Sequence, residues 1–198
     1  VTAERMNIAL QDNGQTSTAD LHLEANESAF IVFSNEQETG LTDYSPTERE
    51  TLLTIDTPWK VDFQKGMRGP DETYVMTELQ TWDKNEDERI RYFSGTATYT
   101  NTFKLKKQPD QPVWIDLGRV MVMARVYVNN QYAGGVWTSP YRLNIQHLLH
   151  KGTNTLRVEV VNNWQNRLIG DQKLPENERP TWTSVNPWRA DSPLQESG

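Results

Sequence analysis

The sequence predicts an all-β fold, an antiparallel β-sandwich of jelly-roll type preceded by a short β fragment. Three observations carry this. Apolar residues recur with period two over most of the chain from Leu52 onward. Short candidate strands alternate with turn residues, and no segment carries a helical apolar stripe beyond one or two turns. Leu, Ile, Val and Phe supply only 42 of 198 residues, and seven Trp and seven Tyr make up the deficit in buried area.

Residues 1–33 contain three strand candidates, Arg5–Leu10, Thr18–Leu23 and Ala29–Phe33, with a turn at Ala25–Ser28. Three strands cannot close a core, so 1–33 reads as a partial β unit, the tail of a preceding domain. Residues 34–50 are polar, contain Gly40 and Pro46, and read as a linker. The sandwich is expected over 51–198, its last part irregular. Trp59, Val61 and Phe63 alternate with Lys60 and Asp62. Ala97, Tyr99, Phe103 and Leu105 share one face of a strand, and Thr96, Thr98, Thr100 and Thr102 share the other. Val113, Ile115 and Leu117 repeat the pattern. Val120, Val122, Ala124, Val126 and Val128 form the longest inward row. Asn129-Asn130 tolerates positive φ and predicts a tight hairpin turn. Leu143 and Ile145 suggest a short strand, Gln146–His150 one helical turn, and Leu156, Val158 and Val160 a last strand. Residues 162–198, with four Pro and three Trp, are too aromatic for a disordered tail and read as an ordered irregular segment laid across the sandwich.

Charge narrows the function. The net charge is -7, and the basic residues are scattered. A nucleic-acid partner needs a clustered basic face and an anionic membrane a basic surface, so neither is expected. No apolar run approaches the roughly 18 residues of a membrane span. The absence of Cys excludes disulfides, thiolate zinc sites and Cys nucleophiles. The chain opens without Met and in mid-pattern, and reads as a piece of a longer protein.

No GxSxG, HExxH, phosphate-loop or dinucleotide signature is present. His147 and His150 lack a third ligand nearby in sequence and read as solvated residues. The acidic run Glu86-Asp87-Glu88 reads as a solvated loop. No cofactor is expected, with a structural calcium ion as the alternative. The aromatic and polar mixture points instead to carbohydrate. Sugar sites need flat aromatic faces for pyranose C–H groups, and planar amides, carboxylates or guanidinium groups to bracket hydroxyls. Trp137, Tyr141 and Arg142 lie together after a Gly-Gly break. Trp164, Asn166, Arg167 and Asp171 follow the last strand, and Trp182 and Trp188 come later. The competing reading makes the Trp residues plugs of the sandwich ends and Arg167–Asp171 a structural pair.

These residues carry a family resemblance. Ser94–Tyr99 with Phe103, Val126–Gln131 running to Gly134 and Trp137, and the ending Leu148, Gly152, Asn154, Leu156, Val158 resemble the sugar-binding-type sandwich of family 2 glycoside hydrolases. Asn163–Asp171, with Leu174-Pro175 and Arg179, resembles the closing segment of α-L-rhamnosidase-type enzymes of family 106. The resemblance covers 52–198. It implies a galactose-binding-like jelly roll acting as a non-catalytic accessory domain, with catalytic carboxylates on a separate (β/α)8 barrel. Such a barrel needs about 250 residues more. By this resemblance the parent is an α-L-rhamnosidase or a β-galactosidase-like enzyme acting on plant or host polysaccharide, periplasmic or extracellular. The partner is then the catalytic domain of the same chain, with carbohydrate as a further one. Two other readings stand beside it: a small self-sufficient glycosidase using an Asp/Glu pair, and a purely structural spacer.

Overall fold

The computed structural model describes residues 5–34, 39–45 and 49–198. They divide into two compact units between Thr54 and Ile55.

The first unit is sparsely paired. Its strands β1 (Met6–Asn7), β2 (Gln11–Asp12), β3 (Ser17–Thr18) and β4 (Thr42–Asp43) are two residues each and exposed. β2 and β3 form a hairpin whose turn is held by the Asp12 and Asn13 side chains. β4, from the stretch read as a linker, pairs in parallel with β1. Beyond β4, the Tyr44 hydroxyl accepts from the His22 N–H and donates to its carbonyl, and Arg49 is paired with Glu24. Two of the expected strands contract sharply, to Met6–Asn7 and to Thr18. Ala29–Phe33 forms no strand, because nothing pairs with it among the described residues.

The second unit is the sandwich. Its elements are β5 (Trp59–Phe63), β6 (Tyr74–Met76), α1 (Glu88–Arg91), β7 (Thr96–Leu105), β8 (Trp114–Asp116), β9 (Met123–Val128), β10 (Gln131–Val136), β11 (Arg142–Asn144), β12 (Gly152–Val161) and α2 (Gln165–Asp171). Single 3-10 turns lie at Trp82–Lys84, Gln146–Leu148 and Glu176–Glu178. Six strands form one antiparallel sheet in the order β10-β9-β12-β7-β5-β6, and β8 and β11 form a small second layer. β12 and β7 lie at the centre of the sheet and pair along their full ten residues. The predicted alternation holds: Ala97, Tyr99, Val126, Val128, Leu156 and Val158 all face one core. Ile115 and Leu143 of the small sheet, with Ile145, Leu148 and Leu149, cover it from the other side.

Asn129 and Asn130 turn the β9–β10 hairpin at φ 50° and 64°, as the sequence predicts. The Leu…Gly…Asn ending has a physical reason. Asn154 is fully buried; its Oδ1 accepts from Asn129 Nδ2 (2.8 Å) and from the His150 N–H (3.1 Å). Its Nδ2 donates to the carbonyls of His150 and Gly152. One buried amide thus ties the hairpin turn to the loop that opens β12.

The row beginning at Val120 departs from expectation. Val120 is buried and Val122 is exposed. Met121 exchanges two backbone hydrogen bonds with Gly198, so the strand on β12 begins only at Met123. The acidic run also differs from a plain solvated loop. Asp87 caps the N-terminus of α1 through the Arg89 N–H, and Asp87 and Glu72 both pair with the Arg89 side chain. Residues 162–198 are ordered as expected but contain one helix, α2, which the sequence reading did not resolve.

Candidate functional site

The strand register defines one end of the large sheet. β12 finishes there at Val161, opposite Thr96 at the start of β7 and Met123 at the start of β9. β10 finishes beside Ala124, and β5 finishes opposite Ala97. Beneath this end lies an aromatic cluster. Phe63, Trp82 and Phe93 pack edge to face at 4.8–5.8 Å, an arrangement the ring quadrupoles favour. The Trp82 indole N–H donates to the Tyr99 hydroxyl at 2.6 Å. Burial pushes the Tyr99 hydroxyl up to about 12, partly offset by that indole donor.

The C-terminal segment seals this end. Gly170 of α2 lies so close to Tyr92 that an added Cβ would stand 2.7 Å from the ring carbon Cγ. Lys173 lies 4.7 Å over the same ring. The Asn162 side chain bonds the Gly95 N–H and the Phe93 carbonyl. Further on, the Ser197 carbonyl accepts from the Trp82 N–H at 2.7 Å, and Glu196 pairs with Arg119 at 2.5 Å.

The eight candidate residues fall into three groups. Tyr141 and Arg142 lie at the small sheet, away from α2. The Tyr141 side chain packs against the core, and Arg142 Nε donates to Asp116 Oδ2 at 2.7 Å across the β8–β11 register. Asn166, Arg167 and Asp171 are brought together on α2, turned inward. Asn166 Oδ1 accepts from the Gln195 N–H (2.8 Å), and its Nδ2 donates to the Gln195 carbonyl (2.6 Å). The amide therefore acts as a strand partner for the tail. The Arg167 and Asp171 side chains are 13% and 1% exposed and meet at 2.5 Å. Asp171 Oδ2 also accepts from the Thr181 hydroxyl at 2.6 Å. Arg167 Nε and Asp171 Oδ1 are buried with no hydrogen-bond partner among the described residues, so the two side chains meet as an ion pair and not as an aligned hydrogen bond.

The third group faces solvent. Trp137, Trp164 and Trp182 are 67%, 61% and 84% exposed. Trp137 follows directly on β10, and Trp164 lies three residues beyond β12. Both therefore stand at the same end of the sheet, with exposed Met123 opening the strand between them and exposed Val122 just before it. Among the described residues, no three His, Cys, Asp or Glu side chains gather to hold a metal ion, and no helix is long and apolar enough to cross a membrane.

Sequence reasoning missed Asn162, Gln195 and Ser197, and it read Asn129 as a turn former without its side-chain contacts. Asn129 sat inside the recognised hairpin and Asn154 inside the recognised ending, but their contact joins positions 25 apart. Gln195 meets Asn166 across 29 residues, and no local pattern announces that.

Fold and surface together define a galactose-binding-like β-sandwich. The profile of the family described as glycosyl hydrolase 2 galactose-binding domain-like matches residues 74–192, and the chain belongs to that family. It is 43% identical over 117 residues to a protein named "Putative beta-glucuronidase" from Formosa agariphila, covering 56% of this chain and 10% of that one. It is also similar to a solved rhamnosidase from Novosphingobium sp. PP1Y, at 37% identity and TM-score 0.81, covering 96% of this chain and 18% of that one. The chain thus spans a tenth to a fifth of the length of these relatives.

Proposed function

We propose that this chain is a non-catalytic accessory module of a longer glycoside hydrolase, and that it buttresses the catalytic domain through the sheet end bearing Trp137 and Trp164. One observation carries the reading: the polar candidates are committed to protein partners while the tryptophans are left outside. Arg142 is tied to Asp116, Asn166 to the tail backbone, and Arg167 to Asp171. Each is engaged by protein groups, which leaves the tryptophans as the outward-facing candidates. Exposed tryptophans grouped with Val122 and Met123 form the kind of apolar patch that marks a protein contact. The relatives' greater length supports a parent with a separate catalytic domain, and the 37% identity to a rhamnosidase supports a rhamnosidase-type one.

Carbohydrate contact is the second reading, favoured by the exposed Trp faces, which pyranose C–H groups can stack on. The test uses the intact parent enzyme and its Trp137→Ala/Trp164→Ala variant. On the buttress reading the variant loses thermal stability of the catalytic domain. On the carbohydrate reading stability holds and KM for polymeric substrate rises while small aryl glycosides are unaffected. A purified 198-residue chain that itself hydrolyses aryl glycosides would defeat both.

A further inference from the structure

The first unit holds an unusual segment. Ala29-Phe30-Ile31-Val32-Phe33 is a run of five apolar residues, β-branched and aromatic apart from the alanine. Such a composition favours the extended pleated conformation. The run is bounded like a strand, by the turn at Asn26 (φ 63°) and Glu27 on one side and the polar Ser34 on the other. Yet Phe30, Ile31, Val32 and Phe33 are 94%, 50%, 82% and 79% exposed. Among the described residues, no hydrogen bond reaches any of the five. Leu23 is exposed as well.

A half-buried antiparallel strand alternates apolar with polar residues. A continuous apolar run instead fits a strand covered on both faces and paired on its edges. The unit's own strands are two residues long and exposed, so they supply neither the pairing length nor the cover. A five-residue strand needs a partner edge of about 17 Å. The occupant is suggested by the rhamnosidase match. It takes in 96% of this chain, and therefore nearly all of the first unit, inside a polypeptide of which the match is only 18%.

We infer that Ala29–Phe33 is an interior β-strand of a neighbouring β domain in the parent chain, docked by main-chain pairing onto a sheet edge lying outside these 198 residues. This rests on the reading of the chain as part of a longer enzyme. It adds a specific segment of the first unit and a specific mode of attachment.

The test is amide hydrogen exchange, read by peptide mass at 29–33, on the protein isolated from its source and on the 198-residue chain. The intact mass comes first. A mass equal to this chain's own 22.9 kDa would overturn the parent reading itself. With a longer parent in hand, the expected result is exchange at 30–33 slower by at least roughly 100-fold in the parent than in the short chain. Fast exchange in both overturns the inference alone. So does protection in the short chain, whether monomeric, where the chain covers the run itself, or only on dimerisation, where the occupant is a second copy. Val32→Pro in the parent, which removes a ladder donor without adding charge, should restore fast exchange at 30–33 while 96–105 stays protected. Unchanged protection at 30–33 in that variant would also overturn it.

Discussion

Removing Arg167 from the pair with Asp171 separates a structural role for α2 from a ligand-binding one. The Asp171 side chain is 1% exposed and meets Arg167 at 2.5 Å, so Arg167→Ala leaves a buried carboxylate with only the Thr181 hydroxyl as partner. Stranding a buried charge costs about 3–5 kcal/mol. Arg167 keeps 13% exposure, its Nε is unpaired, and its contact with Asp171 Oδ1 is an ion pair without hydrogen-bond alignment, which places the expectation at the lower end, about 3 kcal/mol. In a chain of this size each kcal/mol moves Tm by roughly 2–4 °C, so the variant should melt about 6–12 °C lower. Replacing both partners removes the stranded charge, and Arg167→Leu/Asp171→Leu should recover at least half of that loss. Differential scanning calorimetry on the 198-residue chain reads both values. A single variant melting within about 1 °C of the native chain would refute the structural assignment. A double variant less stable than the single one would refute the electrostatic reasoning.

Other outcomes follow from the same packing. Asn154→Ala removes four hydrogen bonds, one to Asn129 of the β9–β10 turn and three to the backbone of His150 and Gly152. It should cost about 3 kcal/mol in urea unfolding, with the loss shared by Asn129→Ala rather than additive. Gly170→Ala drives a methyl against the base of the Tyr92 side chain, which has no room to swing away, and should cost about 1–3 kcal/mol in the same assay. Alkaline stability should report on Tyr99. Its folded-state value is raised from 10.0 to about 12, so its contribution is complete below pH 10 and is lost as pH rises from 10 toward 12. Tyr99→Phe should flatten that part of the stability–pH curve while lowering the neutral-pH plateau, because the Trp82 N–H loses its acceptor. At acid pH the sign reverses. The Arg89 side chain beside Asp87 holds its carboxyl below the ordinary 3.8, so the capping contribution of Asp87 is present above that pH and lost below it; in Asp87→Asn this acid-limb loss should shrink.

Much of the sandwich was legible because its information is local. Rows such as Ala97-Tyr99 and Leu156-Val158-Val160 face the core by period two alone, and Asn129-Asn130 turns the chain because Asn tolerates positive φ. Elements that depend on a distant partner were not legible. Ala29–Phe33 has strand composition and no strand, since pairing and not propensity makes a sheet. Val122 is in phase with the core row and still exposed, because Met121 is taken by Gly198 from 77 residues away. The helix α2 was missed because it has two turns and no side-chain N-cap. Once it is seen, the spacing of Arg167 and Asp171 becomes an ordinary i,i+4 pair. Sequence placed Trp137 and Trp164 in separate clusters, and only the strand register brings them to one end of one sheet.

That shared sheet end can be interrogated directly by hydroxyl-radical footprinting of the tryptophans, comparing the intact parent enzyme with the 198-residue chain. The account predicts that Trp137 and Trp164, both more than 60% exposed here, are oxidised several-fold more slowly in the parent, while buried Trp82 stays protected in both. Equal oxidation of Trp137 and Trp164 in the two proteins would contradict it.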